Sequence, residues 1–442
     1  MTRARLDGLY LFLLGSLLFI LVGLVVEHLG SDSMGDFKGV YYDARCMLQH
    51  RDPYNEAELL RVFEAERGGA PGTQGGSPLA LSLNVYLPTT FVFIVPFAML
   101  PWGAAHLLWL ILTAGSFILA AFLMWDVGAS KAPVLSGALL AFLAVTSSLH
   151  LLSTGNAAGI VVSFCAIATW CFLKERFVPA GILCLAVSLA IKPHDAGLIW
   201  LYFLLAGGIR RKRALQTLVV AAALGIPAML WVSQIAPNWI QELHANLATI
   251  SAHGSMNDPG STGTGSRTPG MVIDLASVLS VFRDDPRFYY PVAYLVCAIP
   301  LLAWSARTLR SRFSEATGWL ALAAIVPLTL IVTYHRPQDA KLLLLTIPAC
   351  AMLWAEGGLT GWLALLTTAT GIAATGDIPL SVLVTLTKGL HPSMTSLPGQ
   401  LLFILFLRPV PLILLIMGIF YLWIYVRRSS NHIPGPAAIA HS

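Results

Sequence analysis

Four ionisable side chains interrupt apolar sequence at places where charge is expensive. Lys192 and His194 flank Pro193 between two short apolar runs. His335 and Arg336 stand in Tyr-His-Arg-Pro-Gln-Asp between the runs 317–333 and 340–355. A lysine at the bilayer midplane costs roughly 3 kcal/mol on insertion scales, so such groups face a cavity, find a partner or reach the interface. The simplest account of Lys192 is snorkelling to the interface, and that of Arg336 is contact with lipid headgroups. A carboxylate, Asp36, follows the first apolar run by a few residues. A carboxylate facing a set of cations at one membrane surface suits one chemistry in particular. The base takes a proton from a hydroxyl, while Lys, Arg and His hold and neutralise a phosphate that leaves. The plain alternative is that Asp36 caps a helix N-terminus, with Asp32 a rival carboxylate, and spacing leaves both roles open.

The elements that must position these groups are membrane helices. Of 442 residues, 57% are hydrophobic and 11% charged, against roughly 25% charged in a soluble domain. Each span needs about 20 apolar residues, which leaves room for about twelve. The first, Leu9 to Val26, follows Arg3 and Arg5 without a cleavage site and is expected to be retained. Further candidates are 86–101, 104–125, 132–151, 157–173, 178–191, 194–208, 214–235, 289–305, 317–333, 340–355, 360–375 and 401–426. The net charge of +5 lies in short clusters between apolar runs, which marks topology rather than a nucleic-acid partner. Arg3/Arg5, Arg210 to Arg213, Arg307/Arg310/Arg312 and Arg427/Arg428 are placed in the cytoplasm. Both termini inside requires an even number of spans, so one of the thirteen candidates, lying before Arg210, must be re-entrant or merged.

That orientation puts residues 27–85, 236–288, the link Tyr334 to Asp339 and 376–400 outside, together with Asp36 and all four cations. A single transmembrane domain over 1–430 is expected, with a cytoplasmic tail at 431–442. Phe37, Val40, Tyr41, Ala44 and Leu48 form one apolar stripe on a helix too polar elsewhere to span, expected to lie flat on the outer surface. Ser153-Thr154-Gly155-Asn156 breaks another apolar stretch, and Asn156 is a candidate for lining the site. His244 and His253 are weaker candidates. Five of six cysteines fall in apolar segments, and no P-loop, glycine fingerprint, metal-ligand spacing or usable internal repeat is present. Chemistry without a metal or other cofactor is therefore expected.

The order of these landmarks resembles glycosyltransferase family 87, within the GT-C superfamily that includes polyprenyl-phosphate-mannose-dependent mannosyltransferases. The resemblance rests on an Asp soon after the first helix, Tyr41-Tyr42 to Asp52-Pro53-Tyr54, Tyr86 to Pro88, the Gly155-Asn156 turn and Ala190-Ile191-Lys192-Pro193. It implies an all-α polytopic fold of about twelve helices in a bacterial cytoplasmic membrane. It also implies a polyprenyl-phosphate sugar donor and an inverting displacement onto a glycolipid or other lipid-linked acceptor at the outer face. Asp36 would be the base, Lys192, His194, His335 and Arg336 the donor-phosphate site, and Tyr41, Tyr86 and Asn156 its lining. Two departures stand out: Thr154-Gly155-Asn156 where the family often has Gly-Gln-x-Asn, and a Gly/Ser/Thr-rich stretch at 251–270 without a counterpart. The alternative from another class is a transporter or flippase for a lipid-linked or anionic solute, which mid-span carboxylates would favour.

Overall fold

The computed structural model describes residues 2–29, 34–67, 83–255, 257–260, 272–387 and 394–430. Asp32, most of the Gly/Ser/Thr-rich stretch and the tail 431–442 lie outside the described residues. Only helices occur among those described: α1 (Arg3–Leu29), α2 (Gly35–Leu48), α3 (Glu56–Arg67), α4 (Phe91–Ala98), α5 (Trp102–Ala129), α6 (Pro133–Val145) and α7 (Ala158–Leu173). Next come α8 (Val178–Ile191), α9 (Pro193–Leu205), α10 (Gly208–Ile235), α11 (Trp239–Ile250), the short α12 (Ala276–Leu279), α13 (Pro286–Arg310) and α14 (Glu315–Val332). The last five are α15 (Ile347–Glu356), α16 (Gly358–Ala374), α17 (Asp377–Thr387), α18 (Leu397–Leu407) and α19 (Val410–Ser430).

Six of these, α1, α5, α10, α13, α14 and α19, are long and apolar enough to cross a membrane. The pair α16 and α17, bent by 70°, is either a broken seventh span or a re-entrant loop. The chain is thus a multi-pass membrane protein. Several expected spans, α6, α7 and α8 among them, are shorter apolar helices. The expected span 340–355 opens as a buried 3-10 helix, Asp339–Thr346, before α15.

Basic residues gather at one end of the helices and are stitched there by ion pairs: Arg5 with Asp126, Lys174 with Glu315, and Arg428 with Glu356. The candidate site residues collect at the opposite end, and this arrangement identifies the surplus candidate before Arg210. Residues 86–101 do not traverse the bundle. At the start of the segment Thr89 Oγ1 donates to the Ala190 carbonyl, 2.6 Å away at the close of α8. At its finish the Leu100 and Ala98 carbonyls accept from the Tyr41 hydroxyl and from Arg45, at 2.8 and 3.1 Å. Both ends of the segment thus bond to residues at the site end of the bundle, which keeps them on the same side of it.

The apolar stripe of α2 packs against protein rather than lipid. Phe37 stacks on Trp109 at 4.2 Å, Tyr41 meets Trp102 edge-on at 5.2 Å, and Tyr42 packs on Phe63 of α3 at 5.0 Å. Aromatic rings of α4 and α5 take the place of lipid, while α3 covers another side, so nine of its fourteen residues are buried. Helix α1 packs beside the turn that α2 bonds to, and its Gly8, Gly15 and Gly23 share one face. A Cβ on these would strike Pro133, Ala141 and Leu152 respectively. Small residues let membrane helices approach this closely.

Candidate active site

The polar groups converge from four segments far apart in sequence. Asp36 enters in the first turn of α2, where the helix dipole favours a negative charge. It does not cap that helix. The N-cap position is Met34, and no side chain caps it. Instead, Asp36 Oδ2 accepts from Asn156 Nδ2 at 2.7 Å. The carboxylate is half-buried, and its Oδ1 has no hydrogen bond among the described residues.

Asn156 is aimed by its turn. Gly155 adopts φ +64°, and a Cβ there would lie 2.9 Å from Phe37 Cβ. Its carbonyl accepts from Trp109 Nε1 at 2.8 Å, and the Thr154 carbonyl accepts from the Asp36 amide at 2.9 Å. The turn therefore fastens α2 and α5 while presenting Asn156. From the preceding turn, the His150 amide donates to Asp377 Oδ2 at 2.9 Å. Asp377 also lies 3.2 Å from Lys341 Nζ, which ties the turn to the 3-10 helix.

Lys192 separates α8 from α9. A residue before proline is driven toward extended backbone, and Lys192, at φ −137° and ψ 82°, turns its side chain inward. It does not snorkel: the residue is 7% exposed. Its Nζ donates to Asn156 Oδ1 at 3.1 Å and to Asp339 Oδ1 at 2.8 Å. An ammonium has three N–H groups, so one remains. Asp339 Oδ2 accepts from the Arg336 amide at 2.8 Å, which completes a chain Asp36–Asn156–Lys192–Asp339.

His335 and His194 sit beside this chain, with ring centroids 5.1 Å apart. His335 is buried, its Nδ1 lies 2.9 Å from the Thr333 carbonyl, and its Nε2 lies 3.1 Å from Asp195 Oδ1. The Arg336 guanidinium reaches Asn257 Oδ1 at 2.6 Å, while its Nε is buried with no hydrogen-bond partner among the described residues. An unused Lys N–H and an unused Arg Nε–H are two donors that a phosphate oxygen can take up.

Tyr86 stands within electrostatic reach of Lys192, Asp36 and Asp339. Burial pushes its hydroxyl up to about 12, against the pull of Lys192, so it stays a proton donor. Tyr41 does not join the site, since its hydroxyl is spent on the Leu100 carbonyl. His253 lies 3.1 Å from Asp258 and takes no part in the chain. The residues that sequence reasoning missed are Asp339 and Asp195. The available signal was their position within three residues of an expected cation.

A family model, glycosyltransferase family 87, matches residues 84–333, more than half of the 442-residue chain. The chain belongs to that family. It is therefore a membrane glycosyltransferase, and the match spans Tyr86, Asn156, Lys192, His194 and Asp195. Asp36 and the segment His335 to Asp339 lie beyond the matched residues, so their part rests on geometry alone. No curated protein and no solved structure matches the chain.

Proposed function

We propose that the chain transfers a sugar, with mannose the first candidate, from a polyprenyl phosphate to a glycolipid or other lipid-linked acceptor, with inversion. Asp36 is the general base. Its free Oδ1 takes the proton of the acceptor hydroxyl as the new bond to the anomeric carbon forms. The bond from that carbon to the phosphate oxygen breaks, and polyprenyl phosphate leaves onto Lys192, Arg336 and the His194/His335 pair. The carrying observation is the chain Asp36–Asn156–Lys192–Asp339, which sets a half-open carboxylate one amide away from a buried cation with an N–H to spare. A fixed cation in a poorly hydrated cleft is worth more than one on the surface, where an ion pair contributes only about 0–1 kcal/mol.

In this reading the basic end faces the cytoplasm of a bacterium and the site opens at the outer face of the cytoplasmic membrane. The chain crosses about twelve times as one domain over 1–430, with 27–85 and 236–288 outside and 431–442 inside. The shorter apolar helices α6 to α9 make crossings beside the long ones.

The deciding experiment incubates purified protein with a panel of radiolabelled polyprenyl-phosphate sugars and a cell lipid extract. Labelled lipid that forms with one donor and is absent with Asp36→Asn is expected. No product with any polyprenyl-phosphate sugar, in protein shown to be folded, would overturn the donor assignment. Orientation is tested separately by single cysteines at 38 and 212 in intact cells, with Cys46 replaced. Labelling of both by one impermeant reagent would overturn it.

A further inference from the structure

The least satisfied polar groups in the bundle lie beside the proposed phosphate site. Asp195 and His335 are each fully buried. Neither Asp195 oxygen has a hydrogen bond, and neither does His335 Nε2, although Asp195 Oδ1 and His335 Nε2 are 3.1 Å apart. A buried carboxylate left without hydrogen bonds is costly, and here only the His335 ring nitrogen stands beside it.

The tautomer of His335 sharpens the question. Its Nδ1 faces the Thr333 carbonyl at 2.9 Å, and a carbonyl oxygen only accepts, so Nδ1 carries a proton. In the neutral ring Nε2 presents a lone pair toward a carboxylate oxygen, an opposition that either a second proton on His335 or a metal ion removes. Such an opposition is relieved by a cation between them, and second-shell contact of a ligand histidine with a backbone carbonyl is the usual arrangement. A third ligand is at hand. One ligand atom each from His194, Asp195 and His335 all lie within 4.8 Å of one another, and His194 is exposed.

The geometry points to a divalent metal site made by His194, Asp195 and His335, with an open coordination position on the exposed His194 side. Metal–ligand bonds of 2.0–2.1 Å at tetrahedral angles put ligand atoms about 3.3 Å apart. The Asp195–His335 pair already meets that spacing, and the exposed His194 side chain is free to close the remainder. Two imidazoles and one carboxylate suit zinc, or another transition ion, over magnesium and calcium, which favour oxygen ligands throughout. Three protein ligands leave a place for an exchangeable group, as at catalytic rather than structural zinc sites. Resting on the donor reading above, that group is an oxygen of the donor phosphate, so the ion joins Lys192 and Arg336 in holding it. Spacing alone pointed to metal-free chemistry; the fold brings His335 to a dipeptide far away in sequence.

The test uses the full chain purified in detergent, stripped with EDTA and dialysed against zinc alone, with bound metal measured by mass spectrometry. One zinc per chain is expected, with affinity at least about tenfold weaker in His194→Ala and in Asp195→Asn, since even outer-shell partners are worth 10- to 100-fold. His194→Ala alters an exposed side chain, so it reports even if the buried Asp195→Asn folds poorly. Substoichiometric uptake by the parent chain, or zinc bound equally well by His194→Ala, overturns the site. Zinc uptake is read with no donor present. Its failure therefore leaves the transfer reading standing on Lys192 and Arg336, and failure of the transfer assay leaves the zinc result untouched.

Discussion

Lys192 Nζ lies 2.8 Å from Asp339 Oδ1 across 147 positions of chain, and each residue is nearly sealed from solvent, at 7% and 2% exposure. Removing one partner of a buried pair strands the other charge and costs about 3–5 kcal/mol, whereas removing both costs far less. Lys192→Met should therefore lower the melting temperature sharply. Lys192→Met combined with Asp339→Asn should recover much of the stability while turnover stays depressed. Thermal melts and transfer rates on the four members of the cycle check this. A double variant no more stable than the single would mean that the pair is not coupled.

Asp36→Asn keeps the shape of the side chain and removes the base. Transfer should fall by about 100- to 10,000-fold. Stability should change by no more than about 1 kcal/mol, since the carboxylate is half-buried and caps nothing. Single-turnover rates with donor in excess separate this from weaker donor binding, and near-parental rates would remove Asp36 from the mechanism.

Gly155→Ala places a methyl group 2.9 Å from Phe37 Cβ on a residue at φ +64°. Strain of this kind costs on the order of 1–3 kcal/mol, and it is delivered to the turn that carries Asn156. A lower melting temperature and a turnover loss of at least about tenfold are expected. Asn156→Ala, by contrast, should reduce turnover with a smaller stability loss. Equal stability of Gly155→Ala and the parent would show that the turn yields freely.

Helix α11 carries a pH dependence of its own. Burial, and then the facing Asp52 carboxyl, push Glu242 up to about 7 from an ordinary 4.5. Between those values the folded protein holds the proton more tightly than the unfolded chain, so stability falls as pH rises. It is fully present below about 4.5 and lost through about 7. Asn246 docks the same helix through the Tyr54 and Asn84 carbonyls at 3.1 and 3.0 Å. Hydrogen exchange across residues 239–250 should therefore quicken between pH 5.5 and pH 8, and Glu242→Gln should flatten that difference.

Much of the site was legible because polar residues inside apolar sequence are costly and thus visible. Asp36, Asn156, Lys192 and His335 declared themselves in this way, and the fold joins them. Asp339 was hidden for the opposite reason: a carboxylate closing a short polar link looks solvated, and only contact with Lys192 shows that it is buried. Asp195 was masked by standing next to Lys192 and His194, which drew attention as cations. Hydropathy counts apolar residues without saying where the chain doubles back, so 86–101 looked like a span. Tyr41 was named through the family resemblance, yet a tyrosine among Trp102, Phe37 and Tyr42 is packing material.

The glycine face of α1 also constrains the order of assembly. A chain is synthesised from its amino end, so α1 is complete while α2 to α5 are still being made, and its partner α6 comes later still. Until then Gly8, Gly15 and Gly23 have only lipid against them. The segment carrying Asp36 reaches its lasting position once Pro133, Ala141 and Leu152 have come to rest on that face. Asn156 follows Leu152 by four residues, so the arrival that seats α1 also delivers the amide that holds the carboxylate. Bulky residues on the glycine face would thus act during biogenesis, as inserted chains without a formed site, before any effect on the finished enzyme.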